Sequence, residues 1–315
     1  MNGNSLLITA LDARWAKYRH HLEACRQAFS EAAVHDVRVS TRRLLALIDL
    51  LRALSPSPNL KKMRRAFKEQ LDGYDDLRDT QVTLSKVSAA LPELPELQPF
   101  ADFLEKRQSK LLRRAAKQVE ALDVSSLVQS IEAARQLLLT ATDEETLRQA
   151  LFQSIDDTYT ALLQRYGKVD ASRPATIHRL RVAFKKLRYT LEILQPFLPD
   201  LPARLFKDMH AYQTAMGDIQ DMEVLLATLA DFSKRHASYD PRPARRYFQR
   251  CHAQALYTYL DGMQQIHTFW RPAPEAPFPW AALPRKKKKP ARQEEPQPNT
   301  MPVPPETNQE QGETP

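Results

Sequence analysis

Residues 177–194 read IHRLRVAFKKLRYTLEIL, and residues 34–51 read VHDVRVSTRRLLALIDLL. The two segments align at an offset of 143 residues: His35 matches His178, Arg38 matches Arg181, and Arg42-Arg43 match Lys185-Lys186. Both carry the 3.6-residue period of an amphipathic helix. At 100° per residue, Leu180, Phe184, Leu187, Leu191 and Leu194 cluster on one side of the second segment, and His178, Arg181, Lys185 and Arg188 lie on the other within about 80° of one another. In the first segment Val37, Leu44, Ile48 and Leu51 form the apolar side, while His35, Arg38 and Arg42 share the opposite face.

Working outward, a second pair appears. Residues 74–82, YDDLRDTQV, match residues 216–224, MGDIQDMEV, at an offset of 142. Two separated matches at nearly one offset indicate an internal repeat, each unit holding about four helices. Helical periodicity fills most of the first 270 residues, interrupted at SPSP (55–58), LPELPELQP (91–99), 123–126, 170–174, PFLPDLP (196–202) and SYDPRP (238–243). Strand alternation and hairpin dipeptides are missing. The expected fold is all-α: two tandem four-helix bundles, repeat 1 over about 4–140 and repeat 2 over about 145–270, around a basic central groove or channel.

The chain has 315 residues and a net charge of +8, with 43% apolar content, enough for a sizeable core. Twelve of its 23 prolines follow Arg271, and residues 271–315 are expected to be a disordered tail containing the basic run 285–289. That tail holds seven basic and six acidic residues, so the surplus of positive charge belongs to the helical part. Such a surplus favours a polyanionic partner: nucleic acid, a phosphate polymer or acidic lipid. Cys25 and Cys251 suggest reduced thiols rather than a disulfide framework. No apolar stretch reaches the roughly 18 residues of a membrane span, and Met1–Ala10 does not read as a signal peptide. A cytoplasmic protein with no membrane partner is expected.

The basic stripes depart from an ordinary solvated helix face. Such a face interleaves Glu and Lys at i,i+4. Here Arg38 with Arg42, and Arg181 with Lys185, place like charges at that spacing, and residues 177–191 contain no carboxylate. The arrangement makes sense if an anion neutralises it. His35 and His178 stand at the leading end of each stripe, where the helix dipole also favours an anion. Supporting stripes are Lys61, Arg64, Arg65 and Lys68; Arg107, Lys110, Arg114 and Lys117; and Arg14, Lys17 and His21. Lys207 and His210 are the second-half counterparts of Arg65 and Lys68.

With these residues in view, the paired segments resemble the two signature helices of the CHAD family, the conserved histidine α-helical domain. The segments ending Arg78-Asp79 and Gln220-Asp221 are similar to its L-G-x-x-R-D-x-x-V motif. The resemblance spans nearly the whole chain outside the tail. It implies two four-helix bundles with a basic central cavity that binds inorganic polyphosphate. The residues assigned to that ligand are His35, Arg38, Arg42, Arg43, Lys68, Lys110, Arg114, His178, Arg181, Lys185, Lys186, Arg188 and Lys207. The chain departs from the motif at Asp75, where the family has Gly, and at Gln220, where it has Arg. Lys185 and Lys186 bind phosphate as point charges rather than bidentate forks.

No catalytic residue, cofactor or metal is expected. Gly-rich phosphate loops, nucleophile elbows and zinc spacings are missing from the sequence. The carboxylates Asp76, Asp79, Asp218 and Asp221 read as ion-pair partners that position basic side chains, with shared Mg²⁺ as the alternative. The expected function is non-catalytic polyphosphate binding that targets the protein to polyphosphate granules. The alternatives are a nucleic-acid-binding module, disfavoured by stripes nearly free of exposed aromatics, and an accessory domain of a polyphosphate-metabolising enzyme.

Overall fold

The computed structural model describes residues 3–139, 144–198 and 201–281. Among these are ten α-helices and no strand: α1 (Gly3–Gln27), α2 (Glu31–Leu54), α3 (Pro58–Asp72), α4 (Asp75–Ala90), α5 (Gln98–Glu120), α6 (Ser125–Leu139), α7 (Glu144–Tyr166), α8 (Ala175–Leu194), α9 (Leu205–Arg235) and α10 (Arg242–Gly262). The two quoted segments are α2 and α8. The boundaries follow local chemistry. Ser30 caps α2 by accepting from the Ala33 N–H at 3.1 Å, and Ser57 caps α3 by accepting from Leu60 N–H at 3.2 Å, with Pro58 in the first turn.

Neighbours recur between the halves. α1 packs on α2 as α7 packs on α8, α2 on α3 as α8 on α9, and α4 on α5 as α9 on α10. The chain breaks between α3 and α4 at Gly73-Tyr74, whereas its counterpart in the second half runs unbroken as α9. α6 has no equivalent in that scheme and lies against α1 and α3.

A large apolar core joins both halves. It includes the stacked Trp15–Tyr18 pair against Phe67 in the first half, and Phe184, Tyr212 and Phe269 in the second. A smaller core is made where the tips of two hairpins meet: Phe100 from α5, Phe232 from α9 and Phe248 from α10. The halves touch directly through α2 with α7 and α8, and through α4 with α9.

The chain stays packed past residue 271, where a tail was expected to start. The packed chain continues to Ala281. Arg271 grips the Asp156 carboxylate through Nε at 3.1 Å and Nη2 at 2.7 Å, and Trp270 Nε1 donates to the same carboxylate at 2.7 Å. Phe278 and Trp280 stack at 4.9 Å, and Trp280 is only 7% exposed. Proline content hid these two anchors, because large aromatic rings bury enough surface to fix an otherwise irregular segment. The basic run at 285–289 lies outside the described residues.

Candidate polyanion site

α2 and α8 pack side by side, which brings the Arg/Lys faces of the two halves together. Arg38, Arg42, Arg181 and Lys185 converge there with a fifth cation, Arg78 of α4. The charges of Arg42 and Arg78 act on Arg38, Arg181 and Lys185, and that of Arg181 acts on Lys185.

Arg38 is 4% exposed. Its Nη2 donates to Asp75 at 3.1 Å, while Nη1 is buried without a hydrogen-bond partner. Burial, and then the neighbouring Arg42, bring its pKa down to about 10 against the support of Asp75. Arg181 occupies the matching place in the second half. Its Nε is also buried and unpartnered, and burial followed by the charges of Arg78 and Arg42 lowers its pKa.

The counterpart of Asp75 on that side is Gly217, and it explains how Arg181 fits. A Cβ at position 217 would stand 3.3 Å from both Nε and Nη2 of Arg181. Glycine therefore lets the guanidinium lie flat on α9. The two halves are thus unlike: Arg38 donates to Asp75, whereas Arg181 lies against Gly217 with Asp221 acting on it through charge.

Arg78 links the halves. Its Nη1 and Nη2 reach the two Asp221 oxygens at 2.7 and 3.3 Å, and Nη1 also donates to Asp79 at 3.0 Å. Burial works against its charge, but Asp221 and Asp79 outweigh it and hold the pKa above the ordinary value. Lys185 has no such support. Burial, then Arg181, Arg42 and Arg78, bring its ammonium down to about 7, with only Asp75 opposing. A group of cations held in a desolvated setting, with buried N–H donors left over, is physically poised for an anion.

The other expected ligands are distributed more widely. His35 and His178 are exposed near the N-terminal ends of α2 and α8. His178 lies close enough to Glu223 to act on its charge. Arg188 pairs with Glu192 at 3.2 Å, meets His210 Nδ1 at 3.0 Å and covers the Tyr189 ring at 5.0 Å. Arg43 is exposed and acts on Arg14 of α1, so it faces away from its neighbour Arg42. Lys68 pairs with Asp72 along α3. Lys110, Arg114 and Lys207 are exposed on α5 and α9.

The carboxylates are engaged as ion pairs. Asp76 meets Arg107 at 3.9 Å, Asp218 meets Lys86 at 3.7 Å, and Asp79 and Asp221 hold Arg78. Arg78 and Gly217 touch this group although neither belongs to a basic stripe. Both sit in the second repeated motif, and the 142-residue offset that pairs Asp75 with Gly217 is the signal that marks them.

The model of the CHAD domain matches residues 9–230. The chain belongs to the CHAD family. Among solved structures, it is similar to the CHAD domain from the plant Ricinus communis, with 17% identity, a TM-score of 0.64, and coverage of 84% of this chain and 89% of that one. It is also similar to PptA from Streptomyces chartreusis, with 17% identity, a TM-score of 0.55, and coverage of 84% and 99%. None of the curated proteins compared with the chain matches it. The CHAD match includes α2, α8 and both copies of the second motif, so all five converging cations lie inside it. No helix among the described residues is long and apolar enough to cross a membrane.

Proposed function

We propose that this chain binds inorganic polyphosphate without transforming it, holding successive phosphates on the cations that α2, α4 and α8 bring together. One observation carries the reading: guanidinium and ammonium groups from both halves converge, and two of them keep buried, unpartnered N–H donors. The resemblance of the paired helices to CHAD signature helices supports the same ligand. Arg offers forked donors to non-bridging oxygens, and Lys185 adds a point charge that gains most when an anion arrives. Binding of this kind retains the protein on polyphosphate granules in the cytoplasm, which is the biological role proposed here.

The test replaces Arg38, Arg42, Arg181 and Lys185 together by Ala and measures binding of a long polyphosphate by fluorescence anisotropy. Affinity is expected to fall by at least about a hundredfold, on the order of 3 kcal/mol, with far-UV circular dichroism unchanged. A folded variant that binds as the parent does sinks the assignment. Competition by single- and double-stranded nucleic acid separates this reading from a nucleic-acid module. Equal displacement by nucleic acid of matched charge would favour the latter.

A further inference from the structure

A cavity of about 500 Å³ opens between α2, α3, α7 and α8, beside the converging cations. Arg42 and Lys185 border it on that side. Its wall also carries the exposed Arg165, Arg179 and Lys186, together with Arg64, which Asp49 neutralises. The floor has a different character. Leu45, Ala46, Leu71, Val182 and Ala183 line it, and Val182 is 54% exposed, one of few large apolar side chains so exposed among the described residues. Tyr189 completes the rim, its ring covered by Arg188.

A chain of phosphates is polar along its whole length and gains nothing from an apolar floor. A phosphorylated organic molecule with a flat apolar body matches both parts of the wall. The volume is within the range that encloses a ligand of nucleotide size. We propose that this cavity is a second site, for a nucleoside polyphosphate, whose base lies on the Val182–Ala183 floor and whose phosphates reach Arg42 and Lys185. The site goes beyond polyphosphate binding but shares those two cations with it. The two ligands therefore compete, and a nucleotide regulates how much of the protein is free to hold polymer.

The experiment titrates the full-length protein with ATP and with inorganic triphosphate in the presence of EDTA, by isothermal titration calorimetry. Both probes carry three phosphates and triphosphate carries one more negative charge, so a preference for ATP reports the organic part. ATP is expected to bind about tenfold more tightly, and long-chain polyphosphate is expected to displace it. Val182→Asn, uncharged and at an exposed position, is expected to remove the preference while polyphosphate affinity stays within about twofold. Equal affinity for the two probes in the unaltered protein overturns the proposal without need of a variant. ATP preference that survives Val182→Asn overturns it as well. Because polyphosphate binding is measured separately, its loss would refute the polymer reading while leaving the nucleotide site standing, and the converse holds.

Discussion

Lys185 makes binding of the polymer a proton-coupled event. Its ammonium is brought down to about 7 by burial and by Arg181, Arg42 and Arg78, against an ordinary value of 10.5. Placing the proton there in the unliganded protein is therefore disfavoured by about 5 kcal/mol. A bound polyanion supplies the opposing charge and returns the pKa toward its ordinary range. At pH 8 only about one-tenth of the unliganded protein carries this proton, so binding takes up close to one proton per site. At pH 6 the group is already charged and uptake is close to zero. Affinity is expected to be level below about pH 7 and to weaken about tenfold per pH unit above it, as the free protein loses the proton. The same displacement sets a stability trend in the unliganded protein. The unfolded chain holds the proton up to about pH 10.5 and the folded one only to about 7, so stability rises with pH across that window.

The assay is calorimetry at pH 8 in two buffers of different ionisation enthalpy, using chains long enough that terminal phosphates contribute little. The apparent enthalpy difference gives the protons taken up. Lys185→Arg is the control, since Arg stays charged throughout. It should bind with little pH dependence between 7 and 9. Zero proton uptake at pH 8, or an unchanged pH profile in Lys185→Arg, would refute the reasoning.

Gly217→Ala tests the contact beneath Arg181. A helical Gly-to-Ala change adds about 0.5–1 kcal/mol of stability, but the new Cβ stands 3.3 Å from the guanidinium. Polyphosphate affinity should drop about fivefold while the melting temperature is unchanged or higher; parallel loss of both would point to a general structural defect instead. Arg78→Ala leaves the buried Asp221 carboxylate unpaired and is expected to reduce stability by about 2–3 kcal/mol, read by urea unfolding. Trp280→Ala, removing a ring that is 7% exposed, should cost about 3–5 kcal/mol. Unfolding free energy unaltered by that change would mean the segment after Trp270 contributes nothing to the fold.

Much of this was legible in the amino-acid order because helix geometry is local. The 3.6-residue period alone decides that Arg38 and Arg42 share a face, as do Arg181 and Lys185. Proline and serine placement fixed where α2 and α3 begin. The repeat offset also paired α2 with α8 before any packing was known. Other positions could not be read this way. Arg42 and Arg43 are adjacent in sequence, yet one joins the converging cations and the other acts on Arg14 of α1.

What the sequence determined by itself is therefore the helices, their faces and their duplication. Only the tertiary structure decided which faces meet, that Arg78 spans to Asp221 across 143 residues of chain, and that a glycine makes room for Arg181. It also gave Lys185 its low pKa. The reason is physical: a face depends on neighbours a turn away, whereas desolvation and charge depend on whatever the folded chain brings near.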